Sequence, residues 1–145
     1  MGNADKIEKL RGLAAERHGA GALEEAEKLY RRILELHRTD FGARYGIGII
    51  HLQQGRAADA LELLDSLVHE APDNADLVTQ RGLALAELGR RDEALADFDR
   101  GLMIRPGNAL SLLYRGNLLL ESGAPDAALA AYEQLLQVAP GYDEA

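Results

Sequence analysis

Cysteine is absent from the 145 residues, which excludes disulfide staples, thiolate metal sites and a cysteine nucleophile. Basic residues are the minority, 16 against 24 acidic, and the resulting net charge of -8 opposes binding to nucleic acid or anionic lipid, where clustered Lys and Arg supply the affinity. Long apolar runs are missing too. Nothing approaches the roughly 20 residues that span a bilayer, and the stretch from Met1 to Arg11 has no apolar core that would serve as a secretion signal, so the expected compartment is the cytoplasm. Histidine is sparse: His18, His37, His51 and His69 form no i, i+4 pair, so no metal site is expected. Ser66, Ser111 and Ser122 have no glycine elbow or histidine-acid partner in sequence. Gly46-Ile47-Gly48 begins like a dinucleotide loop, but no strand precedes it and His51 stands where the third glycine belongs. Asp97 and Asp99, which flank Phe98, are expected to be ordinary solvated carboxylates. No catalytic residue and no cofactor follow from these residues; the chain is expected not to be an enzyme.

What is present is repetition. Gly21, Gly55, Gly89 and Gly123 share one interval, and Ala26, Ala60, Ala94 and Ala128 keep it five residues later. Gly48, Gly82 and Gly116 follow the same period, as do Pro72, Pro106 and Pro140, and the capping residues Asp40, Asn74 and Asn108. A fixed period of this length signals one small unit stacked on copies of itself. Within a unit the apolar residues recur at three- and four-residue steps. Asp40 is suited to capping a first helix that carries Ile47, Gly48 and Leu52; Gly55 ends it, because glycine alone enters the left-handed stop conformation cheaply. Ala60, Leu61, Leu64, Leu67 and Val68 then form the stripe of a second helix, which Pro72 closes. The mid-helix glycine and the alanine of each unit are expected to mark where its two helices approach most closely.

These residues resemble the tetratricopeptide repeat family. Its second-helix signature, alanine with an aromatic four residues later, stands as Ala26 with Tyr30, Ala94 with Phe98 and Ala128 with Tyr132, while Ala60 is followed by Leu64. The first-helix signature is thinner: Ile47-Gly48 keeps its middle, Arg81 and Arg115 replace the leucine before glycine, and tryptophan is absent. The resemblance implies an all-α fold, a right-handed solenoid of four antiparallel helix pairs at 7–40, 41–74, 75–108 and 109–142, after an extension at 1–6 and before the start of a further helix at 143–145. It also implies a non-catalytic scaffold whose first helices line a concave groove holding a partner peptide or helix. The segments Gln80-Arg81-Gly82-Leu83 and Tyr114-Arg115-Gly116-Asn117 are similar to bacterial members, including those that precede the catalytic region of relatives of the O-linked N-acetylglucosamine transferase. The alternative reading is therefore a recruiting arm of a larger enzyme, such as an O-linked glycosyltransferase, with its catalytic domain outside this chain.

If the glycine side of each first helix packs inside its own unit, the opposite side faces the groove. Helical spacing then nominates Glu8, Arg11, Ala15 and His18; Tyr45, Ile49, Leu52 and Gln53; Asp76, Thr79, Gln80, Leu83 and Glu87; and Leu110, Leu113, Tyr114, Asn117 and Glu121. Each aliphatic among them either lines the groove or packs between repeats. The family's carboxylate clamp maps onto Arg11, Ala15, Gly46, Asp76 and Gln80, of which Arg11 alone offers a positive donor, so capture of a free C-terminus is not expected. The expected partner is a protein segment with apolar anchors, its Lys or Arg meeting Asp76, Glu87 and Glu121. On the last second helix, Ala128, Leu129, Tyr132, Leu135 and Leu136 form an apolar face with no closing helix after it, which points to an excised piece of a longer protein or to self-association through that face.

Overall fold

The structure, a computed structural model, describes residues 2–139; Pro140 and the helix expected to start at 143–145 lie outside the described residues. Among the described residues there are eight helices and no strand: α1 (Asn3–Gly19), α2 (Leu23–Leu36), α3 (Phe41–Gln53), α4 (Ala57–Glu70), α5 (Ala75–Glu87), α6 (Arg91–Ile104), α7 (Ala109–Glu121) and α8 (Pro125–Val138). α1 begins ahead of Ile7, where the first repeat was expected to start, and Ile7 is its first buried residue.

Local chemistry sets the helix ends. Asp40, Asn74 and Asn108 each accept a hydrogen bond from the backbone N–H three residues on, at 2.9, 3.0 and 2.9 Å, satisfying a donor that the first turn leaves open. At the other end, Gly89 takes φ 80°, which lets the Arg90 N–H donate back to the Leu85 carbonyl at 2.9 Å. Gly21, Gly55 and Gly123 repeat that positive φ. α2 stops at Leu36, in the same register as α4 and α6, although Arg38 replaces the proline that follows those two. There the extended backbone of His37 is sufficient to end the helix.

The chain divides into two compact units, one up to Leu63 and one from Leu64, a division that falls within α4. In the first, α1 packs on α2 and α2 on α3 around Ile7, Ile33 and Ala43, with Leu10, Tyr30, Leu34 and Leu36 against them. The Tyr30 ring occupies the space that a side chain at Gly46 would need, since a Cβ there would sit 2.5 Å from the ring. Arg11 reaches from α1 to grip the cap of α3, its Nη1 and Nη2 donating to the two Asp40 carboxylate oxygens at 2.8 and 2.5 Å.

That grip is measurable through pH. The Arg11 hydrogen bonds, aided by the Ala43 N–H, pull the Asp40 carboxyl down to about 2 from 3.8. A depressed acid contributes stability that is complete above its unfolded pKa and is lost as pH falls through the folded one, here between about pH 4 and 2. Because Arg11 is half exposed, the expected contribution is about 1 to 2 kcal/mol. Urea unfolding followed by circular dichroism should show the wild type losing its advantage over Asp40→Asn across that window; a constant difference down to pH 2 would remove the assignment.

In the second unit α5 packs on α6, α6 on α7 and α7 on α8. The mid-helix glycines seat aromatics rather than the paired alanines alone. A Cβ at Gly82 would lie 2.7 Å from the Phe98 ring, and one at Gly116 would lie 2.7 Å from the Tyr132 ring. Asp97 departs from the solvated position expected of it: it is buried, and both its oxygens accept from Arg81, at 2.8 Å each. The physical reason is Arg81 itself, which stands in the leucine's place before Gly82 and is half-buried, so its charge requires a close counter-ion. Arg81 also donates to Asp65 at 3.1 Å. Asp99 is exposed as expected, and pairs with Arg115.

Candidate functional site

The second unit brings five of the nominated residues together. Leu83 and Glu87 lie one helical turn apart on α5; Tyr114, Asn117 and Glu121 follow the same stepping on α7. Between them lies a cleft of about 210 Å³, lined also by Ala86, Phe98 and Leu118. Phe98 enters from α6, its ring centroid 6.2 Å from that of Tyr114, so the aromatic that seats on Gly82 also contributes to the wall of the cleft. Sequence spacing assigns Phe98 only to the second-helix stripe. The signal that could have placed it in the cleft is its position four residues after Ala94, where the opposing helix carries only glycine.

The cleft is acidic at two points and apolar between them. Burial pushes the Glu87 carboxyl above its ordinary value, because a partly desolvated carboxylate with no cation beside it is costly. Asn117 is oriented by Tyr132, whose hydroxyl donates to Oδ1 at 2.6 Å. A volume of about 210 Å³ falls below the roughly 300 to 1,000 Å³ of sites that enclose a small-molecule ligand, and matches one or two inserted side chains.

The remaining nominees stand elsewhere. Asp76 accepts from Asn108 Nδ2 at 2.8 Å, with Arg105 at 3.9 Å, and lines a separate depression with Pro72 and Ile104. Gln80 and Leu113 are half-buried and outside the cleft lining, and Thr79 is fully buried. In the first unit, Leu52 is 8% exposed and packs in the core. Arg11, nominated for the groove, donates to Asp40. Tyr45 stacks edge-on against Phe41, with centroids 6.2 Å apart, and Ile49 is half-buried. Gln53 is exposed, and its Oε1 accepts from His18 Nε2 at 2.7 Å while the Tyr30 hydroxyl donates to Nδ1 at 3.3 Å. Among the described residues no group of three or more His, Cys, Asp or Glu gathers as metal ligands would, and no helix is long and apolar enough to cross a membrane.

Comparison with known proteins agrees with this architecture. Among solved structures, a MamA fragment from Desulfovibrio magneticus RS-1 superposes with a TM-score of 0.80 at 18% identity, over 94% of this chain and 77% of that one. TTC0263, a thermophilic TPR protein of Thermus thermophilus, gives 0.86 at 23% identity, over 92% of this chain and 75% of that one. At such identities the likeness shows the fold, an all-α solenoid of helix pairs. No curated protein matches the chain. Two family models, both described as tetratricopeptide repeat, match residues 17–81 and 79–143. With the period, the caps and the glycine-seated aromatics in place, the chain belongs to the tetratricopeptide repeat family.

Proposed function

We propose that this chain is a non-catalytic protein-interaction module, and that the cleft between α5 and α7 receives an apolar side chain of a partner segment while Glu87 and Glu121 meet basic residues beside it. The supporting observation is the meeting of Leu83, Phe98 and Tyr114 with two carboxylates in a space sized for one or two side chains. Glu87 is exposed at the rim, and the partial desolvation that raises its carboxyl favours a cationic neighbour there. The rim charges contribute modestly to affinity and more to the association rate and to partner choice.

Selection from a random dodecapeptide library against the intact chain tests this reading. The expected consensus is an aromatic or branched apolar residue flanked by Lys or Arg. Glu87→Gln with Glu121→Gln keeps the shape and removes both charges, so a selected peptide should bind about three- to tenfold more weakly, with less dependence on salt. Peptides with no common pattern, or equal affinity for the double variant, would count against the cleft.

A further inference from the structure

α8 repeats, in register, the acidic and apolar positions of α6, the helix that holds α7. Asp65 of α4 accepts from Arg81 at 3.1 Å, and at the corresponding position of α6 Asp99 accepts from Arg115 at 2.8 Å. One further period leads to Glu133 on α8, which is exposed and, among the described residues, has no ion-pair partner. The same shift carries Phe98, covered by Tyr114, to Tyr132. It carries Leu95 and Leu102, both half-buried, to Leu129 and Leu136, which are 56% and 40% exposed. α7 packs on α6 at this surface, whereas the one described helix with substantial packing on α8 is α7, from its own repeat.

We propose that this face of α8, distinct from the cleft, docks an amphipathic basic helix of another protein and sets an arginine of that helix on Glu133. α7 shows the chemistry required: Ser111 lies against Gly101, Tyr114 against Phe98 and Arg115 on Asp99. The docked helix therefore carries a small residue, an aromatic three positions later and an arginine next to it. A second copy of this chain is the poorer occupant. Its α1 would bring Leu13 to the arginine's place and Lys9 to that of Ser111, so the position that pairs with Glu133 would hold no cation.

The test uses the whole chain and a fluorescent helical peptide with Ser, Tyr and Arg at these spacings and a Lys- and Gln-rich outer face. Saturable binding is expected, with amide-exchange protection confined to residues 125–138. Changing the peptide's Arg to Glu should weaken binding about fivefold, and Glu133→Arg in the protein should restore it. Glu133 is exposed, so the variant's circular dichroism should match the wild type. Absence of saturable binding, loss without rescue in the charge swap, or protection over Leu83 and Glu87 instead of α8 would each overturn the proposal. Concentration-dependent self-association of the chain that is abolished by Glu133→Arg would overturn it as well, by making a second copy the occupant.

Discussion

Phe98→Ala is expected to lower the stability of the second unit by about 3 to 5 kcal/mol. The ring is fully buried and has two duties at once. It fills the seat left by Gly82, where even a methyl would come within 2.7 Å of it, and it packs on Tyr114 in the wall of the cleft. Removing it leaves a void that its surroundings cannot refill. Gly82 has no side chain to move inward, and Asp97, the nearest neighbour in sequence, is held by two hydrogen bonds to Arg81. The cost therefore lies near the full transfer term plus the cavity term. Phe98→Leu should recover much of it, since Leu64 occupies the corresponding place in the preceding repeat and is itself fully buried. Urea unfolding by circular dichroism gives the total, and amide exchange over α5, α6 and α7 locates it. A loss below about 1.5 kcal/mol would mean that the ring is not the keystone of this repeat.

How much of this was legible in the residues depends on whether the cause was local. Asp40, Asn74 and Asn108 could be read as caps because capping involves a side chain and an amide three residues away. Gly89 could be read as a stop because positive φ is a property of one residue. The faces of α5 and α7 were also readable, since helical stepping alone aligns Leu83 with Glu87 and Tyr114 with Asn117 and Glu121. The failures are pairwise. Nothing within α1 announces that Arg11 is occupied by an acid on the far side of α2, and nothing within α6 distinguishes Asp97, which is buried, from Asp99, which is not. The distinction comes from Arg81 on another helix. The substitution of arginine for the family's leucine was visible, and it was the clue that a buried counter-ion had to exist.

Gly101→Ala is expected to cost about 2 to 4 kcal/mol, although glycine in mid-helix is ordinarily the weaker helix former. Corresponding positions in the other three repeats hold Ile33, Leu67 and Leu135, so the period gives no reason for a glycine here. Its neighbours supply one. A Cβ at Gly101 would meet Ser111 Oγ, and would lie 2.6 Å from Thr79 Oγ1. Both residues are fully buried with their hydroxyls 2.7 Å apart, either able to donate to the other, and the Ala75 carbonyl and Asn108 Oδ1 are further acceptors at 2.7 Å from Thr79 Oγ1 and 3.0 Å from Ser111 Oγ. Two hydroxyl protons thus serve three contacts, and neither oxygen can retreat without leaving a buried polar group short of a partner. In the first unit the same two places hold Ile33 and Ala43, packed in one core, so a large residue on the second helix faces a small one on the next first helix. At Gly101 and Ser111 that size relation is inverted and the space is given to hydroxyls. Combining Gly101→Ala with Ser111→Ala should therefore cost less than the two single losses added together, by more than about 1 kcal/mol, because the second change removes one of the two atoms that the new methyl strikes. Strict additivity in a double-mutant cycle would show that the hydroxyl pair does not set the size of residue 101.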